Sequence, residues 1–65
     1  MGFSNKLKEY RVKRGLTQKK LSEMSNVSRA TIAGIESGAI STTTTDTILK
    51  LSNTLKVPVS RIFFT

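Results

Sequence analysis

The chain has 65 residues, enough for one domain spanning 1–65, close to the lower size limit for folding without disulfides or metal. Cysteine and histidine are absent and the four acids (Glu9, Glu23, Glu36, Asp46) stand singly, which excludes disulfides, the common metal sites and paired-carboxylate catalysis. Eleven Lys and Arg give a net charge of +7, and apolar runs are too short for a membrane span or signal peptide.

Five helical segments can be placed, and no stretch alternates as a strand does. In "SNKLKEYRVKR", Phe3, Leu7 and Tyr10 fall at i, i+4 and i+7, with Ser4 or Asn5 as N-cap; Gly15 supplies the left-handed residue that ends the helix. The second helix, "TQKKLSEMS", has Thr17 as N-cap, Leu16 as a hydrophobic staple, and Leu21 and Met24 as its buried pair. Asn26 tolerates a positive φ in the turn that follows. Ser28 then caps a third helix, which Gly38 closes. "AISTTTT" is a polar loop; helix four starts at Thr43 or Thr44, with Asp46 near its positive end and Ile48, Leu51 and Leu55 as its buried stripe. Pro58 opens a last short helix holding Val59, Ile62 and Phe63. These stripes supply about fifteen apolar side chains, an all-helical core of modest stability.

Charge divides unevenly along this order. Residues 1–29 hold eight bases and two acids, a balance of +6, whereas residues 30–65 hold three bases and two acids, only +1. One basic side facing a polyanion would produce this; so would a lysine-rich solvated surface. The third helix adds a second clue. Val27, Ile32 and Ile35 fit one buried stripe, while the opposite face carries Arg29, Ala30, Ala33 and Gly34, one long side chain and almost nothing else. Such a face is either idle or lies very close to something flat.

Two short helices joined by a turn through Asn26 form a helix-turn-helix. The stretch "LTQKKLSEMSNVSRATIAGIESG" resembles that of the lambda-repressor-like family, which includes the phage Cro and C1 repressors and the XRE-type bacterial regulators. The resemblance rests on Leu16-Thr17-Gln18, Leu21, Val27, Ser28, Ile32, Ile35, Glu36 and Gly38. Leu7 and Arg11 fit the family's first helix, and "DTILKLSNTLKVPVSRIF" its fourth and fifth. Ser22 stands where alanine is usual, Asn26 where glycine is usual, and the loop from Ala39 to Thr43 lacks the basic residues many relatives carry.

The resemblance implies a compact five-helix, lambda-repressor-like all-α domain. It also implies a non-enzymatic transcription regulator, by expectation a repressor, that binds a pseudo-palindromic operator in double-stranded DNA as a homodimer. A cytoplasmic, nucleoid-associated location would follow, with no cofactor, metal, membrane or small-molecule ligand. The helix of about residues 28–37 would enter the major groove, facing bases with Ser28, Arg29, Ala30, Ala33 and Gly34. Of these, Arg29 alone can make the bidentate contact to guanine O6 and N7, and the alanines reach only thymine methyl groups. Small residues would then let the helix lie deep in the groove, with DNA shape supplying part of the specificity; plain helix weakening is the other reading of Gly34.

Thr17, Gln18, Lys19, Thr31 and Ser37 are the expected phosphate contacts, Gln18 sitting beside the free N–H groups of a helix start, where simple capping is its alternative. Arg11 and Glu36 are implied as a partly buried ion pair that sets the tilt of the recognition helix. Val57, Val59 and Phe64 are the expected dimer contact, with core filling as their competing role. Two other classes remain: an antitoxin-type or other protein-interaction module on the same fold, and a basic amphipathic peptide on a membrane surface. The lack of an acidic patch argues against the first, and short capped helices against the second.

Overall fold

A computed structural model describes residues 5–40 and 43–63. Its helices are α1 (Leu7–Lys13), α2 (Gln18–Ser25), α3 (Arg29–Ser37), α4 (Thr45–Leu55) and α5 (Val59–Phe63). Phe3 and Ser4 lie outside the described residues.

Local chemistry sets the boundaries. Thr17, Ser28 and Thr44 each hold extended backbone while their side-chain oxygens accept the N–H three residues on, from Lys20, Thr31 and Thr47. At α1 the Asn5 side-chain oxygen accepts from the Leu7 N–H at 2.9 Å, and the Lys6 N–H donates to the Ile62 carbonyl at 2.9 Å, tying the chain's start to α5. Gly38 closes α3 at φ 83°, and Asn26 makes the tight turn between α2 and α3 at φ 61°. Lys56 also adopts the left-handed conformation, φ 57°, which its sequence does not announce. Two bonds between Ser52 and Val57 close the turn around it: the Val57 N–H donates to the Ser52 carbonyl at 3.2 Å, and the Ser52 hydroxyl donates to the Val57 carbonyl.

The core joins Leu7, Leu21, Val27, Ile32, Ile35, Leu51, Leu55, Ile62 and Phe63, with Tyr10, Leu16, Ile40, Ile48, Val57 and Val59 packed against it. Helix α2 lies against both α3 and α4, and α1 against α3 and α5. Met24 does not join: it is 52% exposed, a correction to the pairing of Leu21 with a residue three positions on. The position four residues on, Ser25, is buried instead, and its hydroxyl accepts the Val27 N–H at 3.3 Å. Positions i+3 and i+4 straddle the axis through Leu21. Because α2 is gripped between two helices, the inward one must be small. With Ile32 and Ile35 turned inward, α3 presents Ala30, Ala33 and Ser37 on the far side.

Candidate nucleic-acid interface

Arg11 and Glu36 meet. The Arg11 Nε donates to Glu36 Oε2 at 2.6 Å and Nη2 to Oε1 at 3.1 Å, a two-point contact between α1 and the last turn of α3. Arg11 Nη1 donates to the Leu16 carbonyl at 2.6 Å, fixing the turn that leads into α2. The pair is nearly removed from water, with side chains 11% and 4% exposed. Hydrogen bonding to Glu36 holds the Arg11 guanidinium above its ordinary pKa; burial pulls the other way, and attraction to Glu36 adds to the rise. Arg11 is therefore charged at any pH the fold withstands. Gln18 Nε2 completes the cluster by donating to Glu36 Oε1 at 3.1 Å, which joins the first residue of α2 to the end of α3.

Asn5 makes a tie that its sequence position does not reveal. Its side-chain amide donates to the Ile35 carbonyl at 3.0 Å, from 30 residues away, while its oxygen caps α1. An N-cap residue is readable from local pattern; a partner that only the tertiary fold brings near is not.

The starts of α2 and α3 differ in kind from their ends. Neither first turn holds an acid. Lys19 and Lys20 stand exposed at the first and Arg29 at the second, and among the described residues none of the three forms an ion pair. A helix start carries about half a positive charge, so each base sits where its own helix disfavours it. The Gln18 and Lys19 N–H groups precede any intrahelical acceptor. Thr17 caps through its oxygen and keeps its hydroxyl hydrogen for an outside acceptor. At α3, the Ser28 hydroxyl accepts from the Thr31 N–H at 3.1 Å and donates to the Thr31 Oγ1 at 2.8 Å. Ser28 is thus engaged within the cap, and the Thr31 hydroxyl hydrogen is the one left to face outward.

Two residues on the outer face of α3 also serve the fold. Ser37 is engaged within the protein: its hydroxyl donates to the Gly34 carbonyl at 3.2 Å and accepts the Ala39 N–H at 3.3 Å. In the free protein its donor serves the helix end. Gly34 is half-buried, and a Cβ on it would lie 2.5 Å from Ile40 Cδ1 and 2.7 Å from Cγ1. The glycine makes room for Ile40, which gives it a reason within the protein beside the groove-approach explanation. Ala30 is exposed and Ala33 half-buried beside it. Val57 and Val59 are half-buried against the core, leaving part of each at the surface, and Phe64 lies outside the described residues.

A pair of helices locked at one end, with bases on two unneutralised helix starts, defines a class of DNA-binding protein. Residues 7–62 match the family model described as helix-turn-helix, and the chain belongs to that family, in its Cro/C1-type branch. It is a DNA-binding regulator, not an enzyme. Among solved structures it is similar to the restriction-modification controller protein C.AhdI from Aeromonas hydrophila, with a TM-score of 0.79 and 30% sequence identity, covering 86% of this chain and 83% of that one. A comparison with curated proteins found no match. Among the described residues, no helix is long and apolar enough to cross a membrane, and no group of His, Cys, Asp or Glu could hold a metal ion.

Proposed function

We propose that residues 1–65 act as one domain that binds a pseudo-palindromic operator as a homodimer and represses transcription from it, at the nucleoid. The observation that carries this reading is the pair of helix starts. Lys19, Lys20 and Arg29 are held where the positive end of a helix opposes them. A phosphate backbone is the partner that turns this opposition into attraction, since it meets the free N–H groups, the helix charge and the bases together.

Docked on those starts, α3 lies in the major groove. Arg29 forms the bidentate contact to guanine O6 and N7, and Ala30 and Ala33 meet thymine methyl groups. Thr17, Gln18, Lys19 and Thr31 hold the backbone on either side. Gln18 does so with the amide hydrogen that its bond to Glu36 leaves over. One module of this size covers little DNA, so regulatory affinity calls for two. The exposed parts of Val57 and Val59, with Phe64, are the proposed contact between copies.

Selection from a random duplex pool, followed by titration at graded salt, tests the reading. The selected sites should show two half-sites about 34–36 Å apart. With about six phosphates contacted, affinity should fall roughly 10³-fold between about 50 and 200 mM salt. Equal affinity for all duplexes of one length would overturn it.

A further inference from the structure

Ile40 lies beyond the helix-turn-helix, yet it stands on the outer face of α3. The chain turns back after Gly38, and the Ile40 N–H donates to the Gly34 carbonyl at 3.0 Å. The Ser37 hydroxyl donates to the same carbonyl and accepts from the Ala39 N–H, so the returning segment is fastened on both sides of the turn. Ile40 Cδ1 and Cγ1 come within 2.5 and 2.7 Å of the point where a side chain at position 34 would begin. On a helical period that point shares the outer face with Ala30, Ala33 and Ser37.

We propose that Ile40 acts as the missing side chain of position 34, a specificity-determining residue that favours a thymine through its 5-methyl group. Part of Ile40 packs on the core and part remains exposed. Its β-branched side chain has few rotamers, and the core and the Gly34 contact restrict them further. What it offers the groove is therefore a fixed aliphatic surface without donor or acceptor. The 5-methyl group of thymine is the matching apolar feature of a major-groove edge. A long side chain on Gly34 would displace this surface; the glycine keeps it in place.

The proposal rests on α3 reading the major groove, and its test separates the two. In a selected operator, each thymine is replaced in turn by deoxyuridine, which removes the methyl group alone, and binding is measured for the parent, Ile40→Val and Ile40→Ala. One thymine in each half-site should weaken parent binding about fourfold on losing its methyl, the worth of one buried carbon. Ile40→Ala should abolish that discrimination while leaving the effects at other thymines intact. Ile40→Val, which keeps Cγ1 beside Gly34 but lacks Cδ1, should reduce it and serves if the alanine variant is poorly folded. Identical thymine profiles for all three proteins would overturn the role of Ile40 while leaving duplex recognition standing. A parent that binds every duplex alike would overturn both.

Discussion

Helices α2 and α3 begin like α4, with a hydroxyl cap, but continue differently. Helix α4 follows Thr44 with Asp46, which neutralises the helix start and pairs with Lys50 at 3.1 Å one turn on. In α2 and α3 the caps are followed by Lys19 and Lys20 and by Arg29, with no acid in either first turn. The first arrangement completes itself. The second is left incomplete within the protein, and the proposed phosphate contact would complete it. The ends of α3 repeat the lesson on a smaller scale. Its last turn is fastened by hydrogen bonds from Asn5, Arg11, Gln18 and Ile40, whereas among the described residues the side-chain hydrogen bonds of its first turn stay within the Ser28–Thr31 cap. Orientation is fixed at one end so that contact can be made at the other.

The largest effect should come from unfastening that end. Arg11→Ala or Glu36→Ala leaves a nearly buried charge unpaired, and each should cost about 3 kcal/mol or more in a domain with little to spare. The double variant should lose clearly less than the sum of the two. Thermal unfolding of the three proteins checks this; additive losses would mean that the last turn of α3 is held by something else.

Arg29→Ala acts at the open end. Operator affinity should fall by about 1–3 kcal/mol, with preference relaxed at one base pair per half-site. Melting temperature should hold or rise slightly, because a base is removed from a positive helix start. A loss of the same size on every sequence would reassign Arg29 to the backbone.

Much of this architecture is legible in the sequence, because caps and stops are local. Thr17, Ser28 and Thr44 begin helices and Gly38 ends one for reasons contained in a few residues. Leu7, Leu21, Ile32, Ile35, Leu51 and Leu55 declare their inward faces by period. Met24 and Ser25 mark where period fails, since neighbouring positions share a stripe and only the packed helix chooses between them. The Arg11–Glu36 pair becomes readable through family resemblance, not through spacing. Asn5 on Ile35 and Ile40 on Gly34 are invisible beforehand. Each joins a loop residue to α3 through a chain path that no pattern encodes.

Gly34 sharpens the comparison within α3. Alanine is the better helix former by up to about 1 kcal/mol, but its methyl must displace Ile40 from a contact under 3 Å. Overpacking of this kind costs about 1–3 kcal/mol, so Gly34→Ala should lower stability by about 1 kcal/mol. In an Ile40→Ala background the clash is gone, and the same substitution should become stabilising. Melting curves around the four-protein cycle decide it. A Gly34→Ala that stabilises both backgrounds equally would show that Ile40 does not hold the place the structure gives it.

The smallest effects in stability test the opening comparison directly, by exchanging the character of two helix starts. Lys19→Glu gives α2 the acid that α4 already has, and it should stabilise the free protein by about 0.3–1 kcal/mol at low salt. The same change sets a negative charge against the phosphate backbone, so duplex affinity should fall on every sequence, with the salt slope reduced by about one. Asp46→Asn is the reverse case. It strips α4 of its neutralising charge and its pairing with Lys50, which should lower stability by a similar small amount. Sequence preference should be unchanged, because none of the proposed base contacts lies on α4. The discriminating result is a crossed pattern, with α2 gaining stability while losing DNA and α4 losing stability while keeping its selectivity. If Lys19→Glu left affinity intact, the uncompensated start of α2 would be a surface accident, and the phosphate would have to be held elsewhere.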